Sequence, residues 1–460
     1  MSGPLCEAVL EMPGSAATLA DLARSNMLLI PLDGRGGWYR YHHLFRDMLL
    51  GEFHRREPTL VPVLQQRAAA WYAGKGMLEE ALEYSMAAGD VGTTARLVGE
   101  LAVPTLRQGR VITLQRWFRW LDDRGGIDGY PMVTVLAALI FAWVGQAAEA
   151  DKWADAVDRW QRGDAARPDD PAAAWAALLK AFLCRRGARQ MRADADEAAE
   201  MLAAGNITSP GPALLQGVAR LLSGDLNGSD ASLTHAVRLG EETGSLELAA
   251  TALSERSLVA LAHREWPRAE AFAGQAHTAL GRIGVEESYV TPLVYAVQAR
   301  IALHRGDAGK AREALVQAQR ARPTLTYAIP HIAVQARIEL TRAHLALADV
   351  AGARTLMREI DDLLRHRPGL GILVGEAKTL RLQLARERSP GSPGASALTA
   401  AELRLLPLLA THLSFPEIAS ELFLSPNTVK TQVASLYRKL GASSRKQAVS
   451  RSRELALLEG

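Results

Sequence analysis

The sequence predicts an all-α chain built from several domains, and three observations carry that expectation. Alanine, leucine and arginine recur along the whole chain while aromatics make up only 6%, a balance that favours helix over sheet. No segment shows the sustained Val/Ile/Thr alternation that strands need. A short turn followed by a small residue returns through the middle of the chain at a period near 40. With 460 residues, 48% of them hydrophobic, the chain is too long for one ordinary core.

Composition also excludes function classes. A net charge of +3 argues for no polyanionic partner by itself, so any such argument must be local. Cys6 and Cys184 stand far apart, with no CxxC pair, which excludes a disulfide framework and a cysteine zinc site. The first 15 residues have no basic segment followed by an apolar one, as a signal peptide would. The longest apolar run, residues 131–145, is shorter than the ~18 residues of a membrane span. A soluble, cytoplasmic protein without membrane partners is expected.

Residues 37–49, GWYRYHHLFRDML, invite a metal-site reading because His42 and His43 lie near Asp47. Adjacent helical residues point about 100° apart, so the pair is poorly placed to share one ion. Trp38, Tyr41, Leu44, Phe45 and Met48 are expected to form the apolar face of a helix. His42, Arg46 and Asp47 are expected to make local polar contacts.

The central region repeats. WVGQAAEADKW, LSGDLNGSDAS, HREWPRAEAF, HRGDAGKAREA and ALADVAGARTL align on Gly145, Gly224, Arg264, Gly306 and Ala348, with steps of 79, 40, 42 and 42. The first step spans two repeats, with a degenerate member near Gly187. A fixed period with one turn per unit means stacked helical hairpins. Ala150, Ser229, Ala269, Ala311 and Ala353 follow the turns and let neighbouring helices approach. Aspartate at the turn caps the second helix. Residues 71–90 start the pattern earlier, with Trp71, Tyr72, Gly76, Ala81 and Tyr84. The array resembles tetratricopeptide repeats with longer helices and is expected over residues 63–387. Its aromatic and leucine residues read as core, and no individual residue marks a binding face.

Residues 388–396, rich in Pro, Gly and Ser, read as a flexible linker. The domain after it, residues 397–460, is punctuated by caps. Thr399-Ala-Ala-Glu402 and Ser414-Phe-Pro-Glu417 are capping boxes, and Ser444-Arg-Lys-Gln447 reads as a third. Ser425-Pro426 is an N-cap followed by a first-turn proline, and Gly441 is a left-handed C-terminal stop. Four helices result, to about Thr411, Leu422, Leu440 and Leu458. A short helix, a tight turn at Phe423-Leu424 and a longer capped helix make a helix-turn-helix. Val429, Val433, Leu436 and Leu440 form one buried stripe. Asn427, Lys430, Thr431 and Ala434 lie off it, in the half that enters a major groove. Arg438, Lys439, Arg445 and Lys446 flank the far end and suit phosphates. From Ser425 onward seven basic residues face two acidic ones, a local +5.

Residues 398–449 resemble the LuxR-type DNA-binding domain. The matching pieces are Leu398-Thr399, Glu402, Leu413-Ser414, Glu417-Ile418-Ala419, Leu422, Leu424-Ser425, Thr428-Val429-Lys430, Lys439-Leu440-Gly441, Arg445 and Ala448-Val449. That resemblance implies base-edge contacts from Lys430, Thr431 and Ala434. It implies phosphate contacts from Thr428, Arg438, Lys439 and Arg445, to which Ser425 at the helix start is added. It also implies a dimerisation role for Val449, Leu455 and Leu458. The chain departs from the family at Gln432, where histidine is usual, at Pro407, which should kink the first helix, at Phe415-Pro416, and at the bulky Phe423.

A helical-repeat region joined to such a domain resembles the MalT-like LuxR regulators, and residues 1–62 resemble the end of their winged-helix segment. Those regulators bind ATP in a preceding domain. No GxxxxGK[ST] motif occurs here, and Gly306-Asp-Ala-Gly309-Lys310 is a repeat turn with Ala311 where the magnesium ligand belongs. An N-terminally shortened member is expected, with no cofactor, no catalytic residue and no metal site in this chain. The resemblance implies double-stranded DNA as partner, often as a homodimer, together with RNA polymerase or another protein. A small-molecule effector would act on the repeat region. Two other readings compete: a helical-repeat scaffold with a vestigial DNA-binding end, and a metal enzyme using His42 and His43. No HExxH or GxSxG motif supports an enzyme.

Overall fold

A computed structural model describes residues 1–25, 29–32, 37–125, 129–163, 170–283, 288–387 and 398–458. Among them are 24 α-helices and two three-residue strands, so the all-α class holds. The linker expected at 388–396 lies outside the described residues. The chain divides into two compact units, Met1–Leu136 and Ala137–Gly460.

The first unit opens with α1 (Gly3–Leu10) and α2 (Ser15–Arg24), then strands β1 (Leu29–Pro31) and β2 (Tyr39–Tyr41), then α3 (His43–Arg56). The strands pair antiparallel, Leu29 opposite Tyr41 and Pro31 opposite Tyr39. Sequence alternation cannot reveal strands this short; only Leu29 and Tyr39 are buried, beside Leu19. The hairpin corrects the reading of residues 37–49. Helix α3 starts only at His43, so Trp38 and Tyr41 do not share its face. Leu44 and Met48 are 67% and 58% exposed. Arg46 pairs with Asp47 at 2.8 Å. The rings of His42 and His43 lie 4.4 Å apart, and no group of three or more potential metal ligands gathers among the described residues.

Helices α4 (Leu60–Gly74), α5 (Leu78–Ala88), α6 (Val91–Arg107) and α7 (Val111–Asp122) continue as hairpins. Gly76 turns between α4 and α5 at φ +73°, Ala81 is fully buried, and Tyr72 stacks on Tyr84 at 5.3 Å.

Helix α8 (Pro131–Trp143) leads into the second unit. There follow α9 (Ala147–Arg162), α10 (Pro171–Leu183), α11 (Ala188–Ala204), α12 (Gly211–Leu222), α13 (Leu226–Glu242), α14 (Leu246–Ala262), α15 (Trp266–Ile283), α16 (Thr291–His304), α17 (Ala308–Ala321), α18 (Pro330–Ala346), α19 (Val350–His366) and α20 (Ile372–Arg386). None of the described helices is long and apolar enough to cross a membrane.

Five of the repeat turns have one geometry. Gly145, Gly187, Gly224, Arg264, Gly306 and Ala348 all adopt φ between +59° and +85°. At all of them but Gly187, the residue after closes a hydrogen bond back into the preceding helix, as Asp225 N does to Arg220 O at 3.0 Å and Asp349 N does to His344 O at 2.8 Å. This is the left-handed C-cap; near the degenerate repeat Cys184 at φ +44° takes that role at the end of α10, and Gly187 instead leads into α11. Asp225, Asp307 and Asp349 then accept from the amides of Gly228, Lys310 and Gly352. Ala150, Ser229, Ala269, Ala311 and Ala353 are fully buried, because a larger side chain there would push adjacent helices apart.

Within the second unit, segments distant in sequence also meet. Ala188 N donates to Gly369 O at 2.8 Å, and Arg367 holds Asp151 at 2.8 Å. Gly371, at φ +55°, sits so close to α12 that a Cβ there would lie 1.9 Å from the Leu222 carbonyl oxygen. The segment after α19 therefore packs on turns laid down some 180 residues earlier, which a reading of local periods could not show.

Candidate nucleic-acid interface

The last four helices are α21 (Ala400–Leu409), α22 (Phe415–Glu421), α23 (Pro426–Leu440) and α24 (Arg445–Glu454). At the head of α21, Thr399 Oγ1 accepts from Glu402 N while Glu402 Oε2 accepts from Thr399 N. Glu417 holds Ser414 through its amide and hydroxyl at 2.7 and 2.6 Å, and these bonds pull its carboxyl below the usual carboxylate range. The third box forms only in part: Ser444 Oγ accepts from Gln447 N, but the Gln447 side chain accepts from Ser443 N and Oγ. Helix α24 ends at Glu454, earlier than the sequence suggested, and the chain turns so that Leu457 is buried in the core.

Helix α23 begins at the Ser425 cap, whose hydroxyl accepts from Thr428 N at 3.0 Å, and stops at Gly441 in the left-handed conformation. Val429, Val433, Leu436 and Leu440 are all buried, packed with Leu405, Leu406 and Ile418 of the first two helices. That stripe fixes which face turns outward. Asn427, Lys430, Thr431 and Ala434 are exposed together on it. The Thr431 hydroxyl donates to Asn427 O at 2.9 Å. Gln432 is half-buried, with Oε1 buried and unpartnered among the described residues.

The residues expected at phosphates fall into two groups. Ser425, Arg438 and Lys446 are exposed and Thr428 is half-buried. Lys439 and Arg445 are engaged inside the domain. Lys439 Nζ donates to Glu402 Oε2 at 2.7 Å, joining the end of α23 to the head of α21. Arg445 donates to the carbonyls of Leu408, Leu409, Thr411 and Leu413 at 2.6–3.0 Å. These are the acceptors that a helix end leaves unpaired, so Arg445 caps α21. Val449, Leu455 and Leu458 are half-buried against the domain's own core.

One set of contacts was invisible to sequence reading: the domain is seated on the array. The Arg322 guanidinium, 1% exposed, donates to Leu398 O and faces Glu359 at 3.4 Å. Glu359 accepts from Ala400 N at 2.8 Å and from Arg337 Nε at 2.8 Å. Arg320 donates to Ala456 O. Burial alone would raise the Glu359 carboxyl; Arg322 and Arg337 overcome it and hold the group below the usual range.

A compact four-helix domain with a capped, polar-faced third helix defines the helix-turn-helix class of DNA-binding proteins. The comparisons agree at both ends of the chain. Residues 396–452 match the family of bacterial regulatory proteins of the luxR type, and residues 1–61 match the MalT winged helix domain. At its two ends the chain therefore carries a MalT-type winged-helix segment and a luxR-type domain, the pairing found in MalT-like LuxR regulators. It is similar to the serine/threonine-protein kinase PknK of Mycobacterium tuberculosis, 30% identical over 24% of this chain and 10% of that one. It is similar to the probable transcriptional regulatory protein NarL of the same species, 43% identical over 16% of this chain and 33% of NarL. The HTH-type transcriptional regulator MalT of Vibrio parahaemolyticus is 25% identical over 28% of this chain and 14% of MalT. The matched stretches thus span from a tenth to a third of these relatives' lengths.

Proposed function

We propose that the protein is a sequence-specific transcriptional regulator. Its array, residues 63–387, takes up an effector or partner protein, and residues 397–460, tethered by 388–396, read double-stranded DNA. The observation that carries this is the exposed polar face of α23, held outward by a buried stripe and flanked by the exposed Arg438 and Lys446. In this reading Asn427, Lys430, Thr431 and Ala434 meet base edges, while Ser425, Thr428, Arg438 and Lys446 meet phosphates. Lys439 and Arg445 position those groups. Val449, Leu455 and Leu458 supply a dimer edge, so half-sites lie about one helical turn apart. RNA polymerase is the expected protein partner on the promoter.

The test is selection of the full chain's preferred duplex from a random pool, followed by salt titration. Lys430→Ala should cost about 1–3 kcal/mol on the selected site and little on random DNA. Equal losses on both would remove Lys430 from base readout. Failure to select any sequence, with no salt dependence, would leave a helical-repeat scaffold.

A further inference from the structure

Helices α12, α14, α16, α18 and α20 each contribute to one cleft of about 260 Å³. That is far above the roughly 10–15 Å³ needed to hold one water. Its floor is aliphatic, with Leu258, Ile338 and Leu373 from three different helices. Its wall is charged, and the charges balance. Arg300 Nε lies 2.9 Å from Glu339 Oε2, and Arg342 pairs with Glu339 and with Glu376, the latter at 2.8 Å. A second space of about 360 Å³ shares Arg300, Arg342 and Glu376, so the ionic group borders both.

The pairing is unfinished on both sides. Arg300 meets Glu339 as an ion pair, yet its buried Nε makes no hydrogen bond. Gln335, 3% exposed, lines the cleft. Its amide donates to Glu255 at 2.8 Å, and its Oε1 has no partner among the described residues. Leaving a buried polar group unpaired costs about 1–3 kcal/mol. One unspent donor, Arg300 Nε, and two unspent acceptors, Gln335 Oε1 and Glu339 Oε2, therefore sit on the same apolar-floored cleft.

We propose that this cleft binds a small zwitterion with an aliphatic body, of the α-amino acid class. The carboxylate takes the Arg300 guanidinium, the ammonium donates to Gln335 Oε1, and the side chain covers the Leu258, Ile338 and Leu373 floor. A zwitterion supplies an acceptor for the unspent donor and donors for the unspent acceptors without upsetting the two-plus-two charge balance, whereas a simple cation or anion supplies one kind and adds net charge. The inference deepens the regulatory reading by naming the effector class, and its role as a signal rests on that reading.

Titration calorimetry on the full chain tests it, with L-leucine, L-isoleucine and L-methionine as probes. 4-Methylpentanoate and 3-methylbutylamine serve as the single-charge halves of leucine. At least one amino acid should bind at least about tenfold more tightly than either half. Arg300→Gln should abolish the advantage over the amine, leaving Glu339 paired by Arg342. Gln335→Leu should abolish the advantage over the carboxylate. An unchanged unfolding profile for either variant excludes loss of fold. No binding of any amino acid at millimolar concentration, or equal binding of a half, overturns the proposal. DNA binding is measured on the same samples: if it persists while the amino acids fail, the site falls and the regulatory reading stands. If an amino acid binds and DNA does not, the reverse holds.

Discussion

Two neighbouring basic residues separate structure from recognition. Arg445 spends its guanidinium on four carbonyls at the end of α21, while Lys446 is exposed. Charged hydrogen bonds contribute about 1.5–3 kcal/mol each, and not additively. Arg445→Ala should therefore destabilise the domain by about 2–4 kcal/mol and leave the salt slope of DNA binding unchanged when the fold is kept at low temperature. Lys446→Ala should leave stability alone and lower that slope by about one unit. Thermal unfolding and salt titration of both variants check the assignment; a slope change in Arg445→Ala at full folding would return it to the phosphates. Glu255 makes a second residue-scale prediction. Burial raises its carboxyl to about 8, against a smaller lowering by Gln335. A raised carboxyl binds its proton more tightly in the folded state, so its own contribution to stability is greatest below about pH 4.5 and falls as pH rises toward 8. Glu255→Gln should remove that slope, raising the unfolding temperature at pH 8 and changing it little at pH 5.

Among the elements, turns decide most. Phe423 occupies the helix-turn-helix bend at φ +54° with its side chain 59% exposed. A non-glycine residue in that region costs roughly 1–2 kcal/mol, so Phe423→Gly should stabilise the domain by about 1 kcal/mol, measured by denaturant unfolding; a loss would mean that Phe423 packs for its keep. The repeat turns show how much of the fold the sequence carries. Glycine at 145, 224 and 306 marked the turns, the period alone put Arg264 and Ala348 at equivalent ones, and all five share a positive φ. The small residues five places on were legible because only they tolerate full burial between helices. The caps of α21, α22 and α23 were legible because their bonds span three residues. The β1/β2 hairpin was not, since three residues carry no period. Nor were Arg445 and Lys439 in their interior roles, because a basic residue near a helix end looks the same whether it faces a phosphate or a carbonyl 36 residues away.

At the scale of the second unit, long-range pairs join what local patterns build. Glu359 answers two buried guanidiniums and the first amide of α21 together. Removing one partner of such a buried group leaves uncompensated charge, at a cost of about 3–5 kcal/mol. Glu359→Gln keeps an acceptor for Ala400 N but gives up the charge facing Arg322 and Arg337. The variant should lower global stability by about that amount and speed hydrogen exchange at Ala400. In the wild type the same contact responds to acid. Its carboxyl is held below the unfolded value, so the stabilisation is complete above the ordinary carboxylate pKa and is lost as pH falls through the lowered folded value. Asn427, Lys430, Thr431 and Ala434 are exposed while the domain is seated, so seating and base readout use different faces. Glu359→Gln should then leave affinity for the selected duplex within about threefold, a difference under 1 kcal/mol. A much larger rise in affinity would mean that the array holds the domain away from DNA. Exchange mass spectrometry beside the DNA titration separates these outcomes, because faster exchange at Ala400 reports the release whatever the duplex does.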